Sequence, residues 1–302
     1  MSLLRQAAGA IVATTVAAAV ALPTGLGLYA ALAFGINWTV VLVQAIPMQS
    51  ETFFDLTGTL TFVVVSIVAS VVHANADSSP AALARATLAS GLVLIWSLRL
   101  GSFLFLRIHR TGTDDRFDVI KTKPVRFFSV WTLQGLWGFV TLLPTLLLHT
   151  SAVPQSAHVQ TTDVVGVTLW LIGFAIEVMA DAQKNAFRDQ YTGSAKFIST
   201  GLWRYSRHPN YFGEILLWIG LTIFCGAQLA TTGDVLVACM SPLLVTLLLT
   251  KMSGIPLLEA KADAKWGASP AYQHYKRSTN VLIPWFPSSV TATETTPLTS
   301  SK

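Results

Sequence analysis

Long apolar runs dominate the chain: Ala7–Leu22, Gly25–Ile46, Phe53–His73, Leu83–Leu106, Phe127–Leu148, Val164–Ala180, Ile215–Ala230 and Val235–Thr250. None alternates apolar and polar positions as a half-buried strand does, and several exceed strand length. A helix needs about 20 apolar residues to cross the hydrocarbon core. The pattern therefore predicts an all-α fold, a polytopic transmembrane helical bundle of seven or eight spans. The first two runs are the weakest, because Ala7–Leu22 is short and Pro23 interrupts. Were they one kinked span plus a half-span, the count would fall toward six.

Composition agrees with this class. Of 302 residues, 52% are hydrophobic and 12% charged, against about 25% charged in a soluble globular chain. So apolar a chain cannot stay solvated as a disordered one. Two cysteines, Cys225 and Cys239, make no disulfide scaffold. The start, one arginine followed by an alanine-rich run, imitates a signal peptide. No water-soluble domain follows it, so it reads as a membrane span. Asn37-Trp38-Thr39 fits a glycosylation pattern but lies inside an apolar run. Pro287–Lys302, rich in Ser, Thr and Pro, reads as a disordered tail.

The net charge is +5, and its distribution argues for lipid rather than nucleic acid. Seventeen of the twenty basic residues fall in segments 107–126, 184–211 and the tail from Lys251. The stretches 74–82, 149–163 and 229–234 carry none. Lysine and arginine set orientation, so the basic segments and the C-terminus are expected on the cytosolic side, beside anionic lipid. The sequence carries no signal of an oligomeric state.

Charges within or at the edge of a span are functional candidates by default. Asp55 stands near the start of the third run and Arg99 inside the fourth. Glu177 and Asp181 lie four residues apart, on one helical face. Lys184, Asn185 and Arg188 continue that face as a polar stripe. An interhelical polar clamp with Asp181 paired to Lys184 would explain the stripe equally. Next comes GLWRYSRHPNYFGE, residues 201–214, just before an apolar run. Arg204 and Arg207 suit phosphate, whose oxygens match a planar guanidinium. Aromatic faces suit a flat heterocycle; Asn210 and Glu214 suit ribose or amide hydrogen bonds. An interfacial belt of aromatic and basic residues would share this composition. His208 has no histidine or cysteine at ligand spacing, so no metal site is expected. A Gly-x-Gly-x-x-Gly turn and a Gly-x-Ser-x-Gly elbow are both missing.

SRHPNYFGE, followed by an apolar span and a tail with paired tyrosines, resembles the steroid 5-alpha-reductase and sterol-reductase superfamily. It is closest to the poorly characterised branch with a reductase-type C-terminal domain. FDLTGTLTF (54–62), WSLRLGSFLFLR (96–107), DDRFD (114–118), ADAQK (180–184), LLEAKADAKWGASPAYQHY (257–275) and IPWF (283–286) extend the likeness over roughly residues 50–286. It implies N-terminal spans in 1–48, a reductase-like membrane domain in 49–286 with its cofactor half at about 163–286, and the tail 287–302. The implied activity is NADPH-dependent reduction of a C=C bond in a lipophilic steroid-, sterol- or isoprenoid-like enone. The implied cofactor-binding residues are Asp181, Lys184, Arg188, Arg204, Arg207, His208, Asn210, Tyr211, Glu214, Glu259, Tyr272 and Tyr275.

Hydride transfer needs a proton donor to complete the reduction. Tyr211 or Tyr275 could supply the proton. Tyr211, Glu214 and Asp55 are the catalytic candidates. The family's keto-polarising glutamate and tyrosine of the N-terminal half have no recognisable counterpart. Asp55 and the DDRFD segment are the candidate substitutes. The implied membrane is the endoplasmic reticulum in a eukaryote and the inner membrane in a bacterium. Two other functions remain open. Isoprenylcysteine and phospholipid methyltransferases, which use S-adenosylmethionine, share a related RHPxYxG element. A non-catalytic lipid-binding protein could also keep such a pocket.

Overall fold

The computed structural model describes residues 2–74, 79–111, 116–153, 155–191 and 196–288. Asp114 and Asp115 of the DDRFD segment, the side chains of 107–111 and the tail beyond Ser288 lie outside the described residues. Ten helices are named here: α1 Leu3–Thr24, α2 Gly27–Val40, α3 Phe54–Ala74, α4 Pro80–Thr111, α5 Pro124–Thr150, α6 Thr161–Gln190, α7 Pro209–Gly226, α8 Thr232–Leu247, α9 Ile255–Trp266 and α10 Pro270–Ser278. A π-helical turn at Val41–Ala45 carries α2 on to Met48, and another at Leu248–Met252 follows α8. No strand occurs among the described residues.

Among the described residues, seven helical stretches are long and apolar enough to cross a membrane: Leu3–Thr24, Gly27–Met48, Phe54–Ala74, Pro80–Leu106, Pro124–Thr150, Thr161–Gln190 and Thr232–Trp266. The chain is an integral multi-pass membrane protein with the fold of a polytopic helical bundle. The first two apolar runs are separate helices. Pro23 sits in the last turn of α1, and the break comes instead at Gly25, in the left-handed region at φ 71°. The run Ile215–Ala230 lies largely in α7, which starts six residues earlier with a polar turn and has 18 residues. It falls outside the seven.

The chain divides into two compact units, one of Met1–Trp170 with Leu217–Thr246, the other of Leu171–Leu216 with the chain from Leu247 onward. In the first unit α5 is the centre. Helices α1, α2 and α3 pack on it, and α3 also packs on α4. Phe139, Leu142, Leu143 and Leu146 of α5 are wholly buried. Phe62, Trp96, Trp137 and Trp218 pack mostly edge to face around it, the geometry that ring quadrupoles favour.

Lipid tails give little hydrophobic drive between helices, so close packing and internal hydrogen bonds do more of the work. Gln134 Nε2 donates to Asn37 Oδ1 at 3.0 Å and to the Phe54 carbonyl at 2.9 Å. Asn37 Nδ2 donates to Thr61 Oγ1 at 3.0 Å. The asparagine of the glycosylation pattern is thus buried and consumed in a tie among α2, α3 and α5. His149 directs Nδ1–H to the Thr145 carbonyl at 2.7 Å, so its Nε2 accepts from Ser90 Oγ at 3.1 Å. Pro144 cannot donate to the carbonyl four residues back. One residue along, the Thr141 carbonyl takes a hydrogen bond from Ser241 Oγ of α8 at 2.7 Å, a side-chain remedy typical of proline in membrane helices. Gly166 and Gly220 let α6 and α7 touch through their backbones. A Cβ on Gly220 would lie 2.6 Å from the Gly166 carbonyl oxygen.

One buried ion pair fixes the segment 151–160. Arg85 Nη2 lies 2.7 Å from Asp163 Oδ2. The same guanidinium donates to the carbonyls of Ser156 at 2.6 Å and His158 at 3.0 Å. Removing one partner strands the other charge in a buried site, a loss of about 3–5 kcal/mol. Thermal unfolding in detergent should therefore show Arg85→Met much less stable than wild type. Arg85→Met with Asp163→Leu should recover much of that loss; a double variant as weak as the single one would mean the pair is not what holds the segment.

Candidate functional site

The second unit assembles the polar stripe, the 201–214 segment and the tail. The latter part of α6 buries Glu177 and Asp181. Asp181 Oδ1 accepts from Asn210 Nδ2 at 3.1 Å, which ties α6 to the first turn of α7. Pro209 begins α7, a position where its missing N–H is no loss. Gly213, one turn on, is required by contact: a Cβ there would lie 2.5 Å from the Gly173 carbonyl oxygen.

The segment before α7 makes a tight 3-10 turn, Gly201–Arg204. Gly201 takes φ 61° with the Gln183 side chain against it. Gln183 Oε1 accepts from the Leu202 N–H at 2.9 Å. Trp203 is buried, and its Nε1 donates to the Ala180 carbonyl at 3.0 Å. Lys184 Nζ sits 4.8 Å from the centre of that indole. Ser206 Oγ donates to the Leu282 carbonyl at 2.7 Å and accepts from the His208 N–H at 3.1 Å.

Glu259 of α9 closes the cluster. His208 Nε2 lies 2.9 Å from Glu259 Oε1, while Arg207 Nη2 and Lys276 Nζ lie 3.3 and 3.5 Å from Oε2. Lys276 also bridges to Asp263 at 2.6 Å, and the Tyr272 hydroxyl donates to the same carboxylate at 3.1 Å. Arg207 donates Nη1–H to the Lys276 carbonyl. Tyr275 donates its hydroxyl to the Trp203 carbonyl at 2.7 Å. Phe197 packs against Tyr272 and Tyr275 at ring separations of 5.3 and 5.4 Å. The His208 and Tyr211 rings lie nearly parallel, 5.7 Å apart at 13°.

Burial chiefly lowers the His208 pKa; the Glu259 carboxylate opposes this, and the charges of Lys184 and Arg207 add to it. The imidazole is thus neutral at neutral pH, with Nε2–H directed at Glu259. Burial and the Asp263 carboxylate push Tyr272 up to about 12. Burial pushes Tyr275 up further. A phenol so raised, with its proton committed to a carbonyl, is a poor acid.

The unit therefore brings Asp181, Asn210, Arg207, His208, Tyr211, Glu259, Tyr272 and Tyr275 into connected networks. Asp181 meets Asn210, and Lys184 rides on Trp203. Arg188 and Arg204 are exposed, and Glu214 is half-buried. Asp55 belongs to the first unit, where it lines a cavity of about 50 Å³ with Thr59, Trp96, Ser97 and Gln134. Of DDRFD, Phe117 is core and Asp118 pairs with Lys121 at 3.1 Å. Lys276, Asp263 and Trp203 escaped sequence reasoning. Helical spacing held a signal for two of them: Asp263 follows Glu259 by four residues, and Lys276 follows Tyr272 by four.

Among the described residues Arg207 Nε–H is buried without a hydrogen-bond partner. A buried donor left over on a guanidinium fits an anion such as a phosphate. Arg204 is exposed, Lys184 rides on the Trp203 indole, and the Tyr211 ring lies beside His208. A family described as "Protein of unknown function (DUF1295)" matches residues 40–279. No solved structure matches the chain.

Unfolding should respond to pH through His208. Its folded pKa is below the ordinary 6.5, so its contribution is complete above that pH and is lost as pH falls through the window beneath it. Thermal melts from alkaline to mildly acidic pH should show this decline, and His208→Asn should flatten it. Gly213→Ala should destabilise by about 1–3 kcal/mol through overpacking.

Proposed function

Because the chain belongs to the DUF1295 family, within the steroid 5-alpha-reductase-like superfamily, we propose that it is a membrane-embedded NADPH-dependent reductase. Its acceptor on this reading is a C=C bond conjugated to a carbonyl in a lipophilic steroid-, sterol- or isoprenoid-like molecule. The observation that carries the reading is the leftover Arg207 Nε–H inside a basic and aromatic cluster. Arg204, Lys184, Arg188 and Arg207 Nε would hold phosphates. Asp181, Asn210 and Glu214 offer the acceptors and the amide donor that a ribose or carboxamide needs. Glu259, Tyr272 and Tyr275 act at one remove, by fixing Arg207, His208 and the 201–208 turn.

Bound NADPH would supply the hydride to the β-carbon and leave as NADP⁺. The α-carbon then needs a proton, and Tyr211, whose ring lies nearly parallel to that of His208, is the candidate donor. The Tyr275 hydroxyl donates to the Trp203 carbonyl and serves the scaffold. Asp55 belongs to the first unit, and this reading assigns it no step. The same reading puts the basic segments on the cytosolic side, of the endoplasmic reticulum in a eukaryote or the inner membrane in a bacterium.

Ligand-dependent melting of the purified protein in detergent tests this. At a hundredfold excess over its dissociation constant a ligand adds about 2.7 kcal/mol. NADPH should raise the melting temperature well above what NADH or S-adenosylmethionine achieves. Arg204→Ala should reduce that rise with little change in the ligand-free melt, and Glu214→Gln should reduce it too. Stabilisation by S-adenosylmethionine alone would replace the reductase with a methyltransferase. NADPH binding without oxidation across a panel of enones would leave a binding protein.

A further inference from the structure

After α10 the chain does not run off into solvent. It closes a loop of the Ω kind, in which the Ser288 N–H donates back to the Ser278 carbonyl at 2.9 Å. Three further bonds pin the loop to the segment before α7. Arg207 N–H donates to the Asn280 carbonyl at 2.9 Å, Trp285 N–H to the Tyr205 carbonyl at 3.0 Å, and Ser206 Oγ to the Leu282 carbonyl at 2.7 Å. Pro284 and Pro287 stiffen what lies between.

This well-fixed backbone points its large apolar side chains outward. Ile283, Trp285 and Phe286 are 62%, 68% and 74% exposed, and Val281 is exposed too. Leu282 and Pro284 are the half-buried ones between them. A loop that collapsed merely to hide apolar surface would turn these rings in. Phe286 meets Tyr205 edge to face at 5.8 Å and Trp285 at 6.4 Å. Thr279–Ser288 contains no charged residue, while exposed Arg204 and Arg277 flank the loop at Tyr205 and Ser278. Tryptophan and other aromatics over a basic rim suit the headgroup layer, where apolar rings reach the acyl boundary and cations meet lipid phosphate.

We infer that the loop 278–288 is an interfacial anchor, seated in the headgroup layer of the bilayer that the chain spans, with Ile283, Trp285 and Phe286 as the inserted residues. Anionic phospholipid is its partner. The loop shares its base with Arg207 and Ser206, so the anchor holds the segment 205–207 at the membrane surface. This rests on the membrane-spanning fold and not on the reductase reading.

The full chain in vesicles of phosphatidylcholine and phosphatidylglycerol provides the test. Phe286→Cys in a Cys239→Ala background takes an environment-sensitive fluorophore, Cys225 being wholly buried. Ile283→Cys is a second labelling site and His274→Cys, exposed on α10 outside every candidate span, the reference. Melting temperatures equal to the parent's certify each variant. At 286 and 283, phospholipid carrying a spin label near its headgroup should quench several-fold more than at 274, and aqueous iodide several-fold less. Iodide access equal to that at 274 would overturn the anchor. So would a label shielded from both quenchers, which would assign this face to a second copy or to the residues beyond Ser288.

Discussion

A polar group surrounded by apolar matter must be answered from within the protein, and this constraint orders the whole chain. In the first unit it shows as ties between helices: Gln134 to Asn37, Ser90 to His149, Arg85 to Asp163. In the second unit it converges on one carboxylate. Glu259 receives His208, Arg207 and Lys276, and each of these is in turn fixed by a backbone group or a further side chain. Without that carboxylate a buried imidazole and a mostly buried guanidinium would lose their shared acceptor, and α9 would lose its link to the turn before α7.

The helix pattern was the most legible part. Apolar runs located every long helix, because a span leaves so little room for polar residues that its limits are written in composition. The limits themselves drifted where polar residues belong to the helix. Helix α6 runs ten residues past its apolar stretch, carrying Asp181, Lys184 and Arg188 on continued helical turns. Helix α7 likewise begins in the polar motif rather than after it. Pro23 suggests a break, and it does forfeit the bond to the carbonyl four residues back, but the helix continues to Thr24 and ends at Gly25 in the left-handed region.

The site was legible as a set of residues and less so as a set of roles. Spacing put Glu177 and Asp181 on one face, and both are buried. It could not reveal that Tyr272 and Tyr275 spend their hydroxyls on Asp263 and Trp203, since those partners lie on different helices or far along the chain. The same motif residues are therefore divided by structure. Some, such as Glu259 and Tyr275, hold the scaffold. Others, such as Arg204, stay at the surface. A motif match weighs the two kinds equally; the hydrogen-bond geometry does not.

The lock on the 201–214 segment comes from far downstream. Ser206 and Leu282 are 76 residues apart, and Arg207 and Lys276 are 69 apart. During synthesis the motif emerges long before its partners exist, and while the intervening helix α8 is being made its arginine and histidine must wait in water or among headgroups. The unit can settle only when nearly the last described residues have left the ribosome. A premature stop between α8 and Leu282 would yield a chain that is largely inserted, yet whose segment 201–214 lacks the partners that fix its shape.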